Sequence, residues 1–342
     1  MKPGDAPVMV VHGPEPFDRG DIRRLQEAIG PCRVLVAGIM ARTAAEESGI
    51  ACEFCGVPPS IVFARLSAPA LLLNRGKTPV SGEVFGEIVA GRSDRPLIHV
   101  ECSSDTVYCW NGDEERGLSI ARALGYRCFR RDAPHPRQEG GERRIRGCIP
   151  GEPLFVNGIV IGTARAEAVV LRTRDGEVEA VSGVEVKPHG LEKLHRCGPV
   201  DLAAAWCKSG GIRTHEPQRA QREPKSGRIV LLDHCAHRFY DLVTPGTCGL
   251  LAVGDDTTAV AGHIASHLGI PVLGITDGDA DGVVSGVFPP GSVVLEAIEG
   301  RDDELGLIIG ETIPDGDTEW SAWVAGAVRT AGKGARIALD LR

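Results

Sequence analysis

The chain has 342 residues, a net charge of −8 and 42% hydrophobic residues, a size that implies two or three domains with real cores. The acid excess argues against a general nucleic-acid coat or an anionic-membrane binder, since both need surplus Lys and Arg, and no apolar run reaches the ~18–20 residues that span a bilayer. Aromatic content is only 4% while glycines number 44, so the cores must be built from Val, Leu, Ile and Ala, which suits βα units with tight turns.

In chain order, residues 7–12 (PVMVVH) read as a buried parallel strand, followed by a helix over 19–29 with Ile22, Leu25 and Ile29 on one face. Strands at 33–37, 69–73 and 96–100 alternate with helices at 40–48, 82–90 and 114–124. That alternation implies parallel pairing with right-handed crossovers. Residues 1–130 are therefore expected to form a doubly wound α/β lobe. Residues 131–147 are charged and rich in Pro and Gly, as in a linker. Over 148–187 the period switches to short strands bounded by Asn-Gly and Asp-Gly, a small antiparallel meander. Residues 188–227 read as a helix at 200–208 and a polar loop.

Residues 228–342 read as a second lobe, Rossmann-like or Toprim-like. Strands are expected at 228–232, 249–253, 271–275, 292–296 and 305–309, with helices at 236–242 and 257–268. The fold class is thus α/β, two doubly wound, mostly parallel lobes with a small antiparallel β insert between them. The 11 cysteines include one C-x-x-C, Cys52 and Cys55, with no second pair to make a zinc ribbon. Free thiols in a reducing cytosol are the expectation, and the N-terminus carries neither the apolar stretch nor the cleavage site of a signal peptide.

Open α/β sheets bind ligands beyond the carboxyl ends of their strands. In the last lobe those ends carry Asp233, the pair Asp255 and Asp256, and the loop with Asp277, Asp279 and Asp281. Crowded carboxylates repel, and a hard divalent cation is the usual remedy; Mg²⁺ held this way normally serves a phosphate. Asp233, Asp277, Asp279 and Asp281 are the expected metal ligands, against a simpler role in helix caps and turns. His263 with His267, and His234 with His237, are weaker metal candidates, because sequence places no third ligand for either pair.

In the first lobe His12 and Gly13 follow the first strand, Arg42 follows the second, and Asn74, Gly76, Lys77 and Thr78 follow the third. Gly-Lys-Thr falls short of a phosphate loop, because Leu71 stands where that motif needs glycine. A looser role, Lys77 and backbone amides holding an anion at a helix start, is expected instead. These residues, with Asp255 and Asp256, are the ligand-binding candidates.

Two resemblances arise from these residues. The acidic loop is similar to the D-x-D-x-D-G stretch of the Toprim fold over residues 228–282, with Asp233 where that fold carries glutamate; the resemblance implies nucleic-acid chemistry. VVHGPEPFDRG, LNRGKTPVSGEVFGEIV, RPLIHVE, KPHGLEKL, VGDDTTAVAGHI and GIPVLGITDGDADG together resemble an uncharacterised family of methanogenic archaea, domain of unknown function 2117, from about residue 8 to 315. That resemblance implies an archaeal cytosolic protein and transfers no catalytic residue. Three functions compete: Mg²⁺-dependent binding or chemistry on a phosphorylated or nucleotide ligand; a Toprim-like protein acting on nucleic acid, which the net charge disfavours; and a non-catalytic binding or assembly protein. Basic residues for the second lie at 143–146 and at Arg213, Arg219, Arg222, Lys225 and Arg228.

Overall fold

The computed structural model describes residues 7–66, 69–93, 95–134, 141–196, 198–203, 205, 207–211, 213–218, 226–277, 287–298 and 302–342. The chain divides into two compact units, Met1–Arg213 and Thr214–Arg342.

Unit 1 is built on a seven-stranded sheet. Its strands are β1 (Val8–His12), β2 (Arg33–Ala37), β3 (Glu53–Cys55), β4 (Ala70–Asn74), β5 (Leu97–Glu101), β6 (Thr106–Trp110) and β7 (Arg127–Arg131), in the order β3-β2-β1-β4-β5-β6-β7. The first five pair in parallel; β6 returns antiparallel on β5, and β7 runs parallel to β6. Along β1 the side chains alternate between two cores, Met9 and Val11 in one, Val8 and Val10 in the other, as the two-residue period of a strand dictates. The first core takes apolar residues of α1 (Glu15–Asp18), α2 (Asp21–Ile29), α3 (Ile39–Ser48) and α6 (Glu114–Leu124); the second takes those of α4 (Pro59–Arg65) and α5 (Pro79–Gly91). Helices on both faces make the sheet doubly wound. Strand order reverses between β1 and β4, so the crevice beyond their carboxyl ends is the topological switch point.

Antiparallel strands complete unit 1. β8 (Glu142–Arg146), β11 (Ala168–Arg174) and β12 (Glu177–Ser182) form one small sheet; β9 (Pro153–Val156), β10 (Ile159–Ala164), β13 (Val184–Val186) and β14 (Cys207–Ser209) form another. Asn157-Gly158 and Asp175-Gly176 turn two of the hairpins with positive φ at both residues (51° and 88°, 54° and 86°), the two-residue turn whose twist matches the strands. Three sequence expectations change here. β8 pairs with β11 inside the stretch read as a linker. The helix of this region is α7 (Pro188–Arg196), ahead of the expected 200–208. At that position β14 pairs with β9, Cys207 opposite Val156, and the described residues of 200–206 are irregular; strand pairing overrides the local helix preference of Leu202–Ala205.

Unit 2 carries a six-stranded sheet. β15 (Ser226–Asp233), β16 (Thr247–Val253), β17 (Val272–Thr276) and β18 (Val293–Ala297) run parallel in chain order; β19 (Thr318–Glu319) and β20 (Ala335–Asp340) pair antiparallel at its edges. A 3₁₀ turn at Ala236–Arg238 leads into the short α8 (Phe239–Leu242), where one helix was expected. α9 (Asp255–Leu268) packs on Gly274, and α10 (Asp302–Gly310) packs on Val253 through Gly306. Gly274 lies opposite Ala252, and Val253 opposite Ile275, so the two helices cover opposite faces. α11 (Trp320–Ala331) joins the core of Val253 and Ile275. The expected strand at 305–309 is part of α10. Leu305 and Ile309 are buried one helical turn apart while Leu307 and Ile308 are exposed, a 3.6-residue period that a five-residue apolar run does not reveal.

Candidate functional site

The switch point of unit 1 is assembled from the ends of β1, β4 and β5. His12 ends β1, and its ring stacks on Phe85 of α5 at 4.5 Å and 16°. Burial lowers its pKa to about 4; the nearby charge of Lys208 pushes the same way, and the Ala37 carbonyl opposes both. β4 ends at Asn74. Its side-chain amide donates to Glu101 Oε2 at 2.9 Å, and the Gly76 and Ser103 amides donate to Oε1 at 3.0 and 2.8 Å. Glu101 is fully buried at the end of β5. Burial raises its pKa, while the three N–H groups act against that rise. This carboxyl group pins the turn that delivers Lys77 and Thr78.

Thr78 caps α5. Its Oγ1 accepts from the Ser81 amide at 3.1 Å, the Ser81 hydroxyl accepts from the Thr78 amide at 3.0 Å, and Pro79 opens the helix, a capping box. Gly-Lys-Thr is therefore a helix start. Lys77 Nζ pairs with Glu152 Oε1, and the Ser209 hydroxyl donates to Glu152 Oε2 at 3.3 Å. Arg42 lies along α3, paired with Glu46 at 3.0 Å and stacked 4.7 Å from the Phe54 ring centroid. Two further arginines brace the edge: Arg75 grips Asp21 at 2.6 and 2.7 Å, and Arg213 joins Asp18 of α1 to Glu47 of α3. Sequence reasoning missed Phe85, Glu101, Glu152, Lys208 and the structural role of Arg213; Glu101 in LIHVE was a visible signal, a charge closing a strand with no polar neighbour but His99.

His99 lies two residues before Glu101 on β5, fully buried, its Nε2 3.8 Å from Glu101 Oε2. Neither of its ring nitrogens has a hydrogen-bond partner, and burial lowers its pKa to about 3. Both His12 and His99 are thus neutral in the folded protein. Below pH ~6.5 the unfolded chain protonates them first. Stability of unit 1 present above that pH should fall as pH drops toward 4, by up to ~1.4 kcal/mol per pH unit for each histidine. Glu15 and Glu101, raised by burial, take up protons in the folded state and oppose the loss at the acid end. Thermal unfolding at pH 7, 6 and 5 should show the decline, and His99→Phe should flatten it; equal melting temperatures at all three pH values would refute the neutral assignment.

The strand ends of unit 2 gather acids around one imidazole. Asp233 ends β15 with its side chain 63% exposed, and His234 follows with φ 47°. Asp233 Oδ1 meets His234 Nδ1 at 2.6 Å, which turns Nε2 toward Asp303 Oδ1 at 3.6 Å and Asp302 Oδ2 at 3.9 Å. Gly254, at φ 97°, makes room for the ring: a Cβ there would stand 2.9 Å from His234 Nε2. Ligand atoms of Asp233, His234 and Asp303 all lie within 4.8 Å of one another, as do those of Asp277 and the buried Asp302. Asp255 and Asp256 open α9 directly after Gly254. Asp279 and Asp281, expected as metal ligands, lie outside the described residues. His263 is buried within α9 and His267 lies near its end; His234 meets the acids without His237. Asp302 and Asp303 went unrecognised because their helix was read as a strand.

Fold and sites define a protein of two α/β units, the first with antiparallel β-strands attached. The chain belongs to the family described as uncharacterized protein conserved in archaea, domain of unknown function 2117, whose model matches residues 9–317. It is similar to the uncharacterized protein MJ0065 of Methanocaldococcus jannaschii, 30% identical over 332 residues that cover 89% of this chain and 90% of the relative. No solved structure matches it. Among the described residues no helix is long and apolar enough to cross a membrane.

Proposed function

We propose that unit 2 binds a divalent cation, Mg²⁺ or Mn²⁺, between Asp233, His234 and Asp303, and uses it to hold or transform a phosphorylated small molecule or nucleotide. The observation that carries this is the convergence of those three side chains within 4.8 Å at the carboxyl edge of a parallel sheet. An imidazole nitrogen directed at two carboxylates takes either a proton or a cation between them. Carboxylate oxygens suit Mg²⁺ and Mn²⁺, and the nitrogen favours Mn²⁺ of the two. A hard cation on one or two carboxylates keeps positions open for phosphate oxygens. We place this activity in the cytosol, in keeping with 11 cysteines scattered through the chain.

The test is thermal unfolding with and without metal. Free Mn²⁺ at 100 times its Kd should add ~2.7 kcal/mol to the stability of unit 2, and Asp303→Asn and His234→Gln should each abolish most of that gain. A nucleoside triphosphate should then bind more tightly with Mn²⁺ than with EDTA. Absence of any metal effect on the parent protein would end this reading.

A further inference from the structure

We infer that Cys109 and Cys128 form a reversible thiol–disulfide switch, which latches the edge strand β7 to β6 when unit 1 meets a low-molecular-weight disulfide. The switch does not depend on the metal centre proposed for unit 2.

The pairing of the two strands brings the thiols together. β6 and β7 run parallel, with Val107 opposite Cys128 and Cys109 opposite Arg130. Residues two apart share one face of a strand, so Cys109 lies on the face of Val107, and Val107 and Cys128 pack in the same core. Cys128 is therefore the diagonal neighbour of Cys109 across the strand pair. Their Sγ atoms lie 3.6 Å apart. A disulfide holds its sulfurs about 2.0 Å apart, so closure draws them together by on the order of 1.5 Å. β7 is the last strand of its sheet, and it can yield by that amount with the β6 pairing alone to adjust.

The helix that joins the strands leaves room for the pair. Gly117 of α6 lies over both sulfurs: a Cβ there would collide with Cys109 Sγ and stand 3.8 Å from Cys128 Sγ. Glycine weakens a helix interior, so its presence here goes with the close approach of the helix backbone to the thiols. The two thiols differ in access, Cys109 being buried and Cys128 half-buried. Burial pushes the Cys109 thiol up, and the neighbouring Cys128, Asp113 and Glu114 push it the same way. Cys109 thus stays protonated and inert until a partner is bound next to it. Cys128 is the first attacker and Cys109 the resolving thiol.

The exchange balances without any other reactant. The Cys128 thiolate attacks one sulfur of the small disulfide, breaks its S–S bond and releases one small thiol. Cys109 then gives up its proton and attacks Cys128 Sγ of the mixed disulfide, releasing the second. The protons of the two protein thiols end on the two small thiols; the cysteine pair is oxidised by two electrons and the small disulfide reduced by two. A disulfide closed between diagonal neighbours departs from the preferred geometry, which makes it easier to reduce. That lability suits a switch better than a permanent staple.

The test treats the intact protein with oxidised glutathione, alkylates the remaining thiols and maps the peptides. A cross-link between the peptides of Cys109 and Cys128 should form, and excess reduced glutathione should reverse it. Cys109→Ser should stop at a glutathione adduct on Cys128, and Cys128→Ser should leave Cys109 unmodified. Amide exchange over Arg127–Arg131 should slow at least ~10-fold in the oxidised protein and recover on reduction. The switch is refuted if the parent protein forms no such cross-link, if the cross-link appears only after unfolding in urea, or if exchange in β7 does not change. The cross-link is read on the parent protein, so the outcome stands even where a serine variant does not fold.

Discussion

Arg213→Met should lower the stability of unit 1 by roughly 3–5 kcal/mol, the range for removing one partner from a buried ion pair. The Arg213 side chain is 3% exposed. Its Nε donates to Asp18 Oδ2 at 2.9 Å, its Nη2 meets Asp18 Oδ1, and its Nη1 lies 2.7 Å from Glu47 Oε2. Glu47 is 3% exposed and Asp18 13%. Methionine fills the volume and leaves both carboxylates buried, without the charge that made their burial tolerable. Lysine at this position should recover only part of the loss, because it lacks the planar fork that engages Asp18 through two nitrogens. In a double-mutant cycle, adding Glu47→Gln to Arg213→Met should cost far less than Glu47→Gln alone. Urea unfolding of the four proteins measures this, and a single-variant loss below ~1 kcal/mol would show that water already reaches the cluster.

Gly86→Ala should destabilise unit 1, against the ordinary helix preference for alanine. Within a helix, alanine is favoured over glycine by up to ~1 kcal/mol. At Gly86 the added Cβ would collide with the ring of His99, and at Gly82, one turn earlier, with the carboxyl group of Glu101. These glycines let α5 settle directly on β5 above a buried His and a buried Glu. Neither neighbour can retreat: Glu101 is held by three donors, and the His99 ring stacks 5.7 Å from Tyr108. Overpacking of this kind costs ~1–3 kcal/mol, so the net effect should be a loss. Gly326 in α11 is the control, since a Cβ there meets nothing closer than Arg329 Nη2 at 3.8 Å. Gly326→Ala should stabilise unit 2 by a few tenths to ~1 kcal/mol. Thermal unfolding of the two variants should shift in opposite directions; a gain at Gly86 would mean α5 can lift from the sheet at little cost.

Much of the fold was legible because its strands are short apolar runs between glycine-containing turns. β1, β2, β4 and β5 were read within a residue of their observed ends, as were β17 and β18. β3 was not, since Glu53 and Phe54 are exposed at the sheet edge and show no apolar run. β6, the antiparallel partner of β5, was also missed: Thr106–Trp110 mixes polar and aromatic residues, all of them buried by the sheet around them. At the sites, strand-end residues such as His12, Lys77, Asp233 and Asp277 could be found because topology assigns chemistry to that edge. Their partners could not. Glu152 is 75 positions from Lys77, and no local pattern ties the two together. Asp302 and Asp303 were hidden by a misread period, in which five apolar residues passed for a strand instead of a helix with one exposed face.

The link between Arg213 and Asp18 spans 195 positions, and that has a consequence on the ribosome. At ~5–20 residues per second, the first helices of unit 1 emerge on the order of ten to forty seconds before the arginine that neutralises them. Through that interval Asp18 and Glu47 must stay hydrated, so α1 and α3 cannot close fully on each other. The contact between α1 and α3 that Arg213 makes therefore closes only when the residues just after β14 arrive. A chain released before residue 213 would lack it.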